Sequence, residues 1–151
     1  MASFTLHSEL DTSRFAEGVA SAVQGGQALG LIGELGAGKT TFVRHLLRAL
    51  GDTLDQVSSP SYSLQNEYCL PSGLKVEHWD LYRLRSIEGE LLEAPAPDVI
   101  RIVEWPDVIP GFTDSLDLQI LLEVAESGAR IATLAGPRLS WFNEVIIRFV
   151  S

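Results

Sequence analysis

Residues 33–40 carry the strongest chemical signal in the sequence, because they form a complete phosphate-binding pattern, G-x-x-x-x-G-K-[ST]. An apolar run at 28–32 precedes the pattern and a segment with helical spacing at 40–50 follows it. This strand, glycine-rich turn and helix N-terminus are the context in which backbone N–H groups bind phosphate oxygens. Lys39 adds a positive charge for the β- and γ-phosphates, and the Thr40 hydroxyl is suited to bind Mg²⁺.

Two acidic residues come at the ends of apolar segments and are candidates for the acid that accompanies such a loop. Asp80 follows 76–79, and Glu104 follows the apolar run 99–103. Ligands of open α/β sheets bind at the carboxyl ends of the strands, so both carboxylates are expected to reach the site and to hold Mg²⁺ directly or through water. The alternative for Asp80 is a cap of the turn that begins at Leu81.

Two further features lie near these positions in the chain. The segment 58–63 contains four serines around Pro60, and loops of this position in nucleotide hydrolases sense the γ-phosphate and Mg²⁺. An ordinary surface loop is the equal alternative. Trp105 follows Glu104 directly, and its ring could stack on a nucleotide or fill the core.

The elements that must position these residues alternate between strand and helix. A short strand at 4–6 precedes a helix that runs to Val23 with Asp11 or Ser13 as its N-cap. After the loop and its helix, the pattern predicts strands at 62–69, 74–81 and 99–104, a short helix at 86–92, a hairpin of 116–124 with 129–134, and a segment at 141–150 that is ambiguous but favours helix. This order predicts one α/β domain over 1–151, P-loop NTPase-like, with a largely parallel central sheet, antiparallel additions and flanking helices.

The composition limits the classes of partner that the protein is expected to bind directly. The net charge is −9, from 11 Lys and Arg against 20 Asp and Glu, and no basic run is present. Direct nucleic-acid binding usually needs a basic surface, so another protein is expected to hold any nucleic acid.

No apolar run approaches the ~20 residues of a membrane span, the N-terminus lacks the apolar core of a signal peptide, and a single cysteine allows no internal disulfide. We therefore expect a cytoplasmic protein without membrane contact.

Four segments in fixed order point to one family: Gly-Glu-Leu-Gly-Ala-Gly-Lys-Thr-Thr-Phe at 33–42, Ser-Pro-Ser-Tyr-Ser-Leu at 59–64, His-Trp-Asp-Leu-Tyr-Arg-Leu at 78–84 and Val-Glu-Trp-Pro at 103–106. Together they closely resemble the bacterial TsaE family, the small P-loop ATPases of tRNA N6-threonylcarbamoyladenosine biosynthesis. The resemblance extends over about residues 4–110. It implies a protein that hydrolyses ATP in support of TsaB and TsaD, which modify adenosine 37 of tRNA, and that meets tRNA only through that complex.

The resemblance also implies residue roles, with ATP and Mg²⁺ as cofactors. Lys39, Asp80 and Glu104 would be catalytic, and Thr40, Glu104 and Asp80 would bind the metal. Segment 59–61 would be a switch-like loop. The nucleotide-binding set would be Gly33, Glu34, Leu35, Gly36, Ala37, Gly38, Lys39, Thr40, Thr41, Trp105 and Glu9.

The sequence departs from the family pattern in places. Ser61 stands where the family usually has threonine, Asp107 where it often has glutamate, and the segment 85–98 is shorter and richer in proline than expected. No role is assigned to Asp107 or Arg130.

Two alternatives stay open. A small-molecule or nucleotide kinase shares the loop but usually needs an arginine-bearing lid. Between Asp80 and Glu104 the only arginines are Arg83, Arg85 and Arg101, and Pro95 and Pro97 interrupt any lid helix. The other alternative is a nucleotide-regulated binding module without turnover.

Overall fold

The computed structural model describes residues 1–53, 57, 65–82 and 89–150. Its elements in chain order are β1 (Ala2–Leu6), α1 (Glu9–Ala22), β2 (Ala28–Ile32), α2 (Lys39–Ala49), β3 (Gln65–Cys69), β4 (Lys75–Asp80), α3 (Gly89–Leu92), β5 (Val99–Glu104), β6 (Leu118–Val124), β7 (Arg130–Ala135) and α4 (Leu139–Val150). Two 3-10 helices, Pro106–Val108 and Phe112–Ser115, lie between β5 and β6.

The strands form one seven-stranded sheet in the order β1-β7-β6-β2-β5-β4-β3. The four central strands are parallel, because β2 pairs in parallel with both β5 and β6, and β4 pairs in parallel with β5. The edges are antiparallel, with β7 on β6, β1 on β7 and β3 on β4. The predicted α/β class, with its parallel centre and antiparallel additions, is confirmed.

The two faces of the sheet are covered differently. Because side chains alternate along a strand, Leu29 and Leu31 of β2 join a large core with α1, α2 and α4, whereas Ala28 belongs to a smaller cluster on the other face. In β5 all six residues are buried, as expected for a strand covered on both faces. The parallel centre therefore holds the carboxyl ends of β2, β4 and β5 in fixed positions.

The start of α1 differs from the prediction. The helix begins at Glu9 and its N-cap is Ser8, whose Oγ accepts a hydrogen bond from the Asp11 N–H at 3.2 Å. Neither Asp11 nor Ser13 is the cap. Asp11 instead occupies the third helical position and accepts a bond from the His7 N–H at 2.9 Å. The Ser-x-x-Asp spacing is a variant of the capping box, in which the side chains of Ser8 and Asp11 both accept hydrogen bonds from backbone N–H groups at the start of the helix.

Other boundaries agree within one or two residues where the structure describes them. The ambiguous C-terminal segment is helical and begins earlier, at Leu139. Residues 62–64 of one predicted strand and 86–88 of the predicted short helix lie outside the described residues. Within the described part of the chain, no helix is both long enough and apolar enough to span a bilayer.

Candidate nucleotide site

The loop between β2 and α2 depends on its glycines. Gly36 and Gly38 have φ of 82° and 103°, in the left-handed region that glycine adopts without strain. Gly33 is needed for a different reason, because a Cβ there would lie 2.6 Å from the Leu122 carbonyl oxygen. The sequence pattern therefore corresponds to a tightly wrapped loop that ends where α2 begins, at Lys39.

Lys39 is folded back onto its own loop. Its side chain is buried, with the residue 6% exposed, and Nζ donates to the carbonyl oxygens of Gly33 and, at 3.4 Å, of Glu34. Nζ also lies 4.1 Å from the centre of the Trp105 ring, within cation–π range. The ammonium group is thus held at the mouth of the loop by two carbonyls and one aromatic face.

The charge around Lys39 is acidic. Burial lowers the pKa of Lys39, and the carboxylates of Glu104, Asp80, Glu34 and Asp107 oppose that shift in decreasing order. The net lowering of the pKa shows that desolvation outweighs four surrounding carboxylates. Lys39 therefore lies close enough to Glu104 and Asp80, the two predicted acids, for their charges to affect its pKa.

Glu104 ends β5 and is almost fully enclosed, at 4% exposure. Its Oε2 lies 2.5 Å from Nε2 of His78, which is itself fully buried on the neighbouring strand β4. The Tyr68 hydroxyl lies 3.5 Å from the other ring nitrogen of His78. Side chains of the three adjacent strands β3, β4 and β5 thus form a row of buried polar contacts, and this row fixes Oε2 of Glu104.

Asp80 ends β4 directly beside Glu104, since the two residues are partners in the parallel register. It is half-buried, and its Oδ1 accepts a hydrogen bond from the Tyr82 N–H at 2.9 Å. The turn-capping contact, which was the alternative role for Asp80, is therefore present. It uses one carboxylate oxygen, and among the described residues Oδ2 has no hydrogen-bond partner.

Trp105 is strained. Its φ of 59° and ψ of 43° place it in the left-handed region, where it is the only non-glycine residue in the described part of the chain. Its N–H donates to the Leu31 carbonyl at 3.1 Å, and its ring lies 4.9 Å from that of Tyr82 at an angle of 52°. Backbone strain of this kind is found preferentially at functional sites. The half-buried ring lies between Lys39 and Tyr82 and outside both apolar cores.

A cleft of about 260 Å³ adjoins the loop. One wall comes from the β1–α1 junction, including Glu9, and the other from Gly38 and Thr41 with the start of α2. Glu9 is the first residue of α1, and its Oε1 lies 3.1 Å from Nε2 of His45 on α2. The family resemblance implied that Glu9 binds the nucleotide, and the predicted helix began after it; the structure puts Glu9 inside the helix and on this cleft.

Comparison with known proteins finds a family match over most of this chain. A family model described as "Threonylcarbamoyl adenosine biosynthesis protein TsaE" matches residues 6–132. The chain belongs to the TsaE family. Members of this family take part in the biosynthesis of tRNA threonylcarbamoyladenosine.

Individual TsaE relatives match over most of their length. The TsaE protein of Aquifex aeolicus is 38% identical over 120 residues, covering 78% of this chain and 86% of the relative. The Rickettsia conorii protein is 28% identical over 134 residues, covering 86% and 75%. The crystal structure of Bacillus subtilis YdiB superposes with a TM-score of 0.71 at 25% identity, covering 97% of this chain and 94% of that one.

The sequence assigned no role to two residues that the structure places at this candidate site. His78 lies 2.5 Å from Glu104 and holds its carboxylate. Arg130, the first residue of β7, donates from Nε to the Ala37 carbonyl at 3.1 Å and from Nη1 to the Gly128 carbonyl at 2.9 Å. The spacing of His78 and Asp80 in β4, two residues apart and so on one face, is the signal that could have indicated His78. No local pattern indicates Arg130.

Some predicted residues are not located. The switch-like segment 59–61 and both Arg83 and Arg85 lie outside the described residues. Over the ranges that are described, no three His, Cys, Asp or Glu side chains converge as a metal cage. Mg²⁺ is usually bound by one or two carboxylates together with phosphates and water. The oxygen donors Thr40, Asp80 and Glu104 suit that kind of site and not a cage made of protein ligands alone.

Proposed function

We propose that this chain binds and hydrolyses ATP with Mg²⁺ in support of the threonylcarbamoylation of adenosine 37 in tRNA, together with TsaB and TsaD. One observation carries the ATP part: Lys39 of a complete phosphate loop lies in the field of two acids that end adjacent parallel strands, Glu104 and Asp80. Membership of the TsaE family supports the tRNA part.

The phosphates of ATP would bind to the backbone N–H groups of residues 33–41 and the N-terminus of α2. Lys39 already points its ammonium at the carbonyls of Gly33 and Glu34, and phosphate oxygens are stronger acceptors for a charged donor. Bound phosphate would also oppose the desolvation that lowers the pKa of Lys39, because an added negative charge favours the ammonium form.

Thr40 and Glu104 would hold Mg²⁺, and Asp80 would orient water beside it. The metal would neutralise negative charge that develops on the transferring phosphoryl group. Glu104 needs a fixed direction for this role, and His78 provides it through the 2.5 Å contact, in the way that residues behind a metal ligand orient it.

The cleft beside the loop would take the adenosine. It opens next to Gly38 and Thr41 and is walled by the β1–α1 junction, with Glu9 at its rim. Its volume of about 260 Å³ lies just below the usual range for small-molecule sites. Trp105 would border the phosphate end, where its ring already contacts the ammonium of Lys39.

The tRNA would be held by the partner proteins. A net charge of −9 opposes the counterion release that drives non-specific nucleic-acid binding. The same charge favours docking on a basic protein surface.

The test is an ATPase assay of the chain alone and with TsaB and TsaD, for the wild type and for Lys39→Ala. Charge-assisted contacts to phosphate contribute roughly 1.5–3 kcal/mol, so Lys39→Ala should weaken ATP binding about 10- to 100-fold. Lys75→Ala is the matched control, because Lys75 is the only other lysine and is exposed on β4.

Hydrolysis that increases with the partners and is lost in Lys39→Ala supports the proposal. Wild-type turnover in Lys39→Ala would reject the assignment of the loop. Phosphoryl transfer to an added small molecule would favour a kinase, and ATP binding without turnover under all conditions would favour a binding module.

A further inference from the structure

Arg130 connects the phosphate loop to the sheet. It begins β7 and is in register with Leu6 of β1 on one side and with Val124 of β6 on the other. Its backbone is therefore fixed by two neighbouring strands. From that position Nε donates to the Ala37 carbonyl inside the loop, and Nη1 donates to the Gly128 carbonyl in the turn before β7. The guanidinium thus binds two carbonyls at once.

The bond to the Ala37 carbonyl also fixes the neighbouring N–H. Ala37 C=O and Gly38 N–H belong to one planar peptide unit, and in a trans peptide they point in opposite directions. No described peptide bond is cis. When Arg130 holds the carbonyl oxygen, the Gly38 N–H must therefore point away from the guanidinium.

Glycine on one side of this peptide unit leaves its orientation less restricted than it would be between two residues with side chains. Gly38 has no Cβ and sits at φ 103°, and glycine adopts positive and negative φ with similar ease. The missing Cβ of Gly38 removes one steric barrier to a flip of the 37–38 peptide, which would exchange the directions of its C=O and N–H. The hydrogen bond from Arg130 favours one of the two orientations.

We propose that Arg130 is a positioning residue that preorganises the phosphate loop by holding the Ala37 carbonyl outward and the Gly38 N–H inward, toward the phosphates. The inference rests on the proposed function in one respect, namely that this loop binds the phosphates of a nucleotide. Its action is through the loop backbone, so it differs from a direct charge contact between the guanidinium and the ligand.

The experiment compares the wild type with Arg130→Met, Arg130→Lys and the control Arg148→Met, an exposed arginine of α4 paired with Glu144. The ¹H–¹⁵N amide signal of Gly38 is recorded without nucleotide, and dissociation constants are measured for metal-free ADP and for adenosine. Thermal unfolding of each variant identifies the temperature at which all are folded.

We expect Arg130→Met to shift or broaden the Gly38 signal and to weaken ADP binding about tenfold, the value of one charge-assisted hydrogen bond. The Arg130 side chain also lines the cleft proposed for adenosine, so the adenosine affinity measures its direct contribution there. The loss of ADP affinity should exceed any loss of adenosine affinity, since adenosine does not involve the loop N–H groups. Arg130→Lys should stay within about threefold of Arg130→Met, because lysine keeps the charge but lacks the planar fork that binds two carbonyls.

Three results would overturn the inference: ADP affinity lowered no more than adenosine affinity in Arg130→Met, ADP affinity lowered with an unmoved Gly38 signal, or full recovery in Arg130→Lys. The last two would indicate a direct charge contact. If the wild type binds no ADP, the proposed function fails, whereas the Gly38 signal still decides whether Arg130 sets the orientation of the loop.

Discussion

Strands β4 and β5 carry two charged register pairs that are three residues apart and opposite in character. Glu77 pairs with Arg101, and Asp80 pairs with Glu104. In the first pair Arg101 Nε donates to Glu77 Oε1 at 3.0 Å, and Nη1 donates to the Glu93 carbonyl at 2.6 Å. In the second pair both partners are acids at the carboxyl ends of their strands.

The two pairs differ in what they do: one stabilises the fold, and the other belongs to the candidate site. Opposite charges across a sheet stabilise it and like charges directly opposite destabilise it. The Glu77–Arg101 pair therefore supports the fold, whereas the Asp80–Glu104 pair weakens it unless a cation lies nearby. Lys39 supplies one positive charge, and we propose that Mg²⁺ supplies the rest. Arrangements that lower stability, such as two adjacent carboxylates, are expected at functional sites.

The largest effect should come from breaking the structural pair. Arg101→Met leaves Glu77 without its main partner, and the two side chains are only 6% and 17% exposed. Removing one partner of a buried ion pair costs about 3–5 kcal/mol of unfolding free energy. Urea unfolding measures this loss, and the double variant Glu77→Gln with Arg101→Met should recover part of it. Equal stability of Arg101→Met and the wild type would show that the pair contributes nothing.

The next effect concerns the like-charged pair. Asp80→Ala should leave ATP binding largely intact and slow hydrolysis about 10²–10³-fold, the usual cost of removing an oriented electrostatic group from a reacting centre. Single-turnover hydrolysis and equilibrium binding separate the two steps. Asp98→Ala, at the opposite end of the sheet and exposed, should behave as the wild type. Normal hydrolysis in Asp80→Ala would leave this residue with only its cap of the Tyr82 N–H.

Features encoded locally could be predicted from the sequence. The loop pattern, the apolar strands β2 and β5, and the acids that end β4 and β5 depend on neighbouring residues, and the structure has them where the pattern placed them. The cap of α1 was misassigned because Ser8 and Asp11 are both good N-cap residues and only the backbone geometry distinguishes a cap from the third helical position.

Long-range partners could not be predicted. His78 meets Glu104 across 26 residues, and Arg130 meets Ala37 across 93. Such pairs depend on the order of strands in the sheet, which places β5 beside β4 and β7 within reach of the loop. The same reason applies to the cleft, whose walls come from β1, α1, α2 and the β6–β7 hairpin.

The most direct test of the account measures ATP affinity with Mg²⁺ and with EDTA for the wild type, Glu104→Gln and Glu77→Gln. If the like-charged pair exists to hold the metal, Mg²⁺ should tighten ATP binding in the wild type and in Glu77→Gln. In Glu104→Gln the increase in ATP affinity caused by Mg²⁺ should be about tenfold smaller than in the wild type, near the value of one charge-assisted contact. The affinity of this variant for ATP in EDTA should be unchanged or higher. A Glu104→Gln protein that keeps the full Mg²⁺ effect, or that loses affinity equally in EDTA, would contradict the central claim.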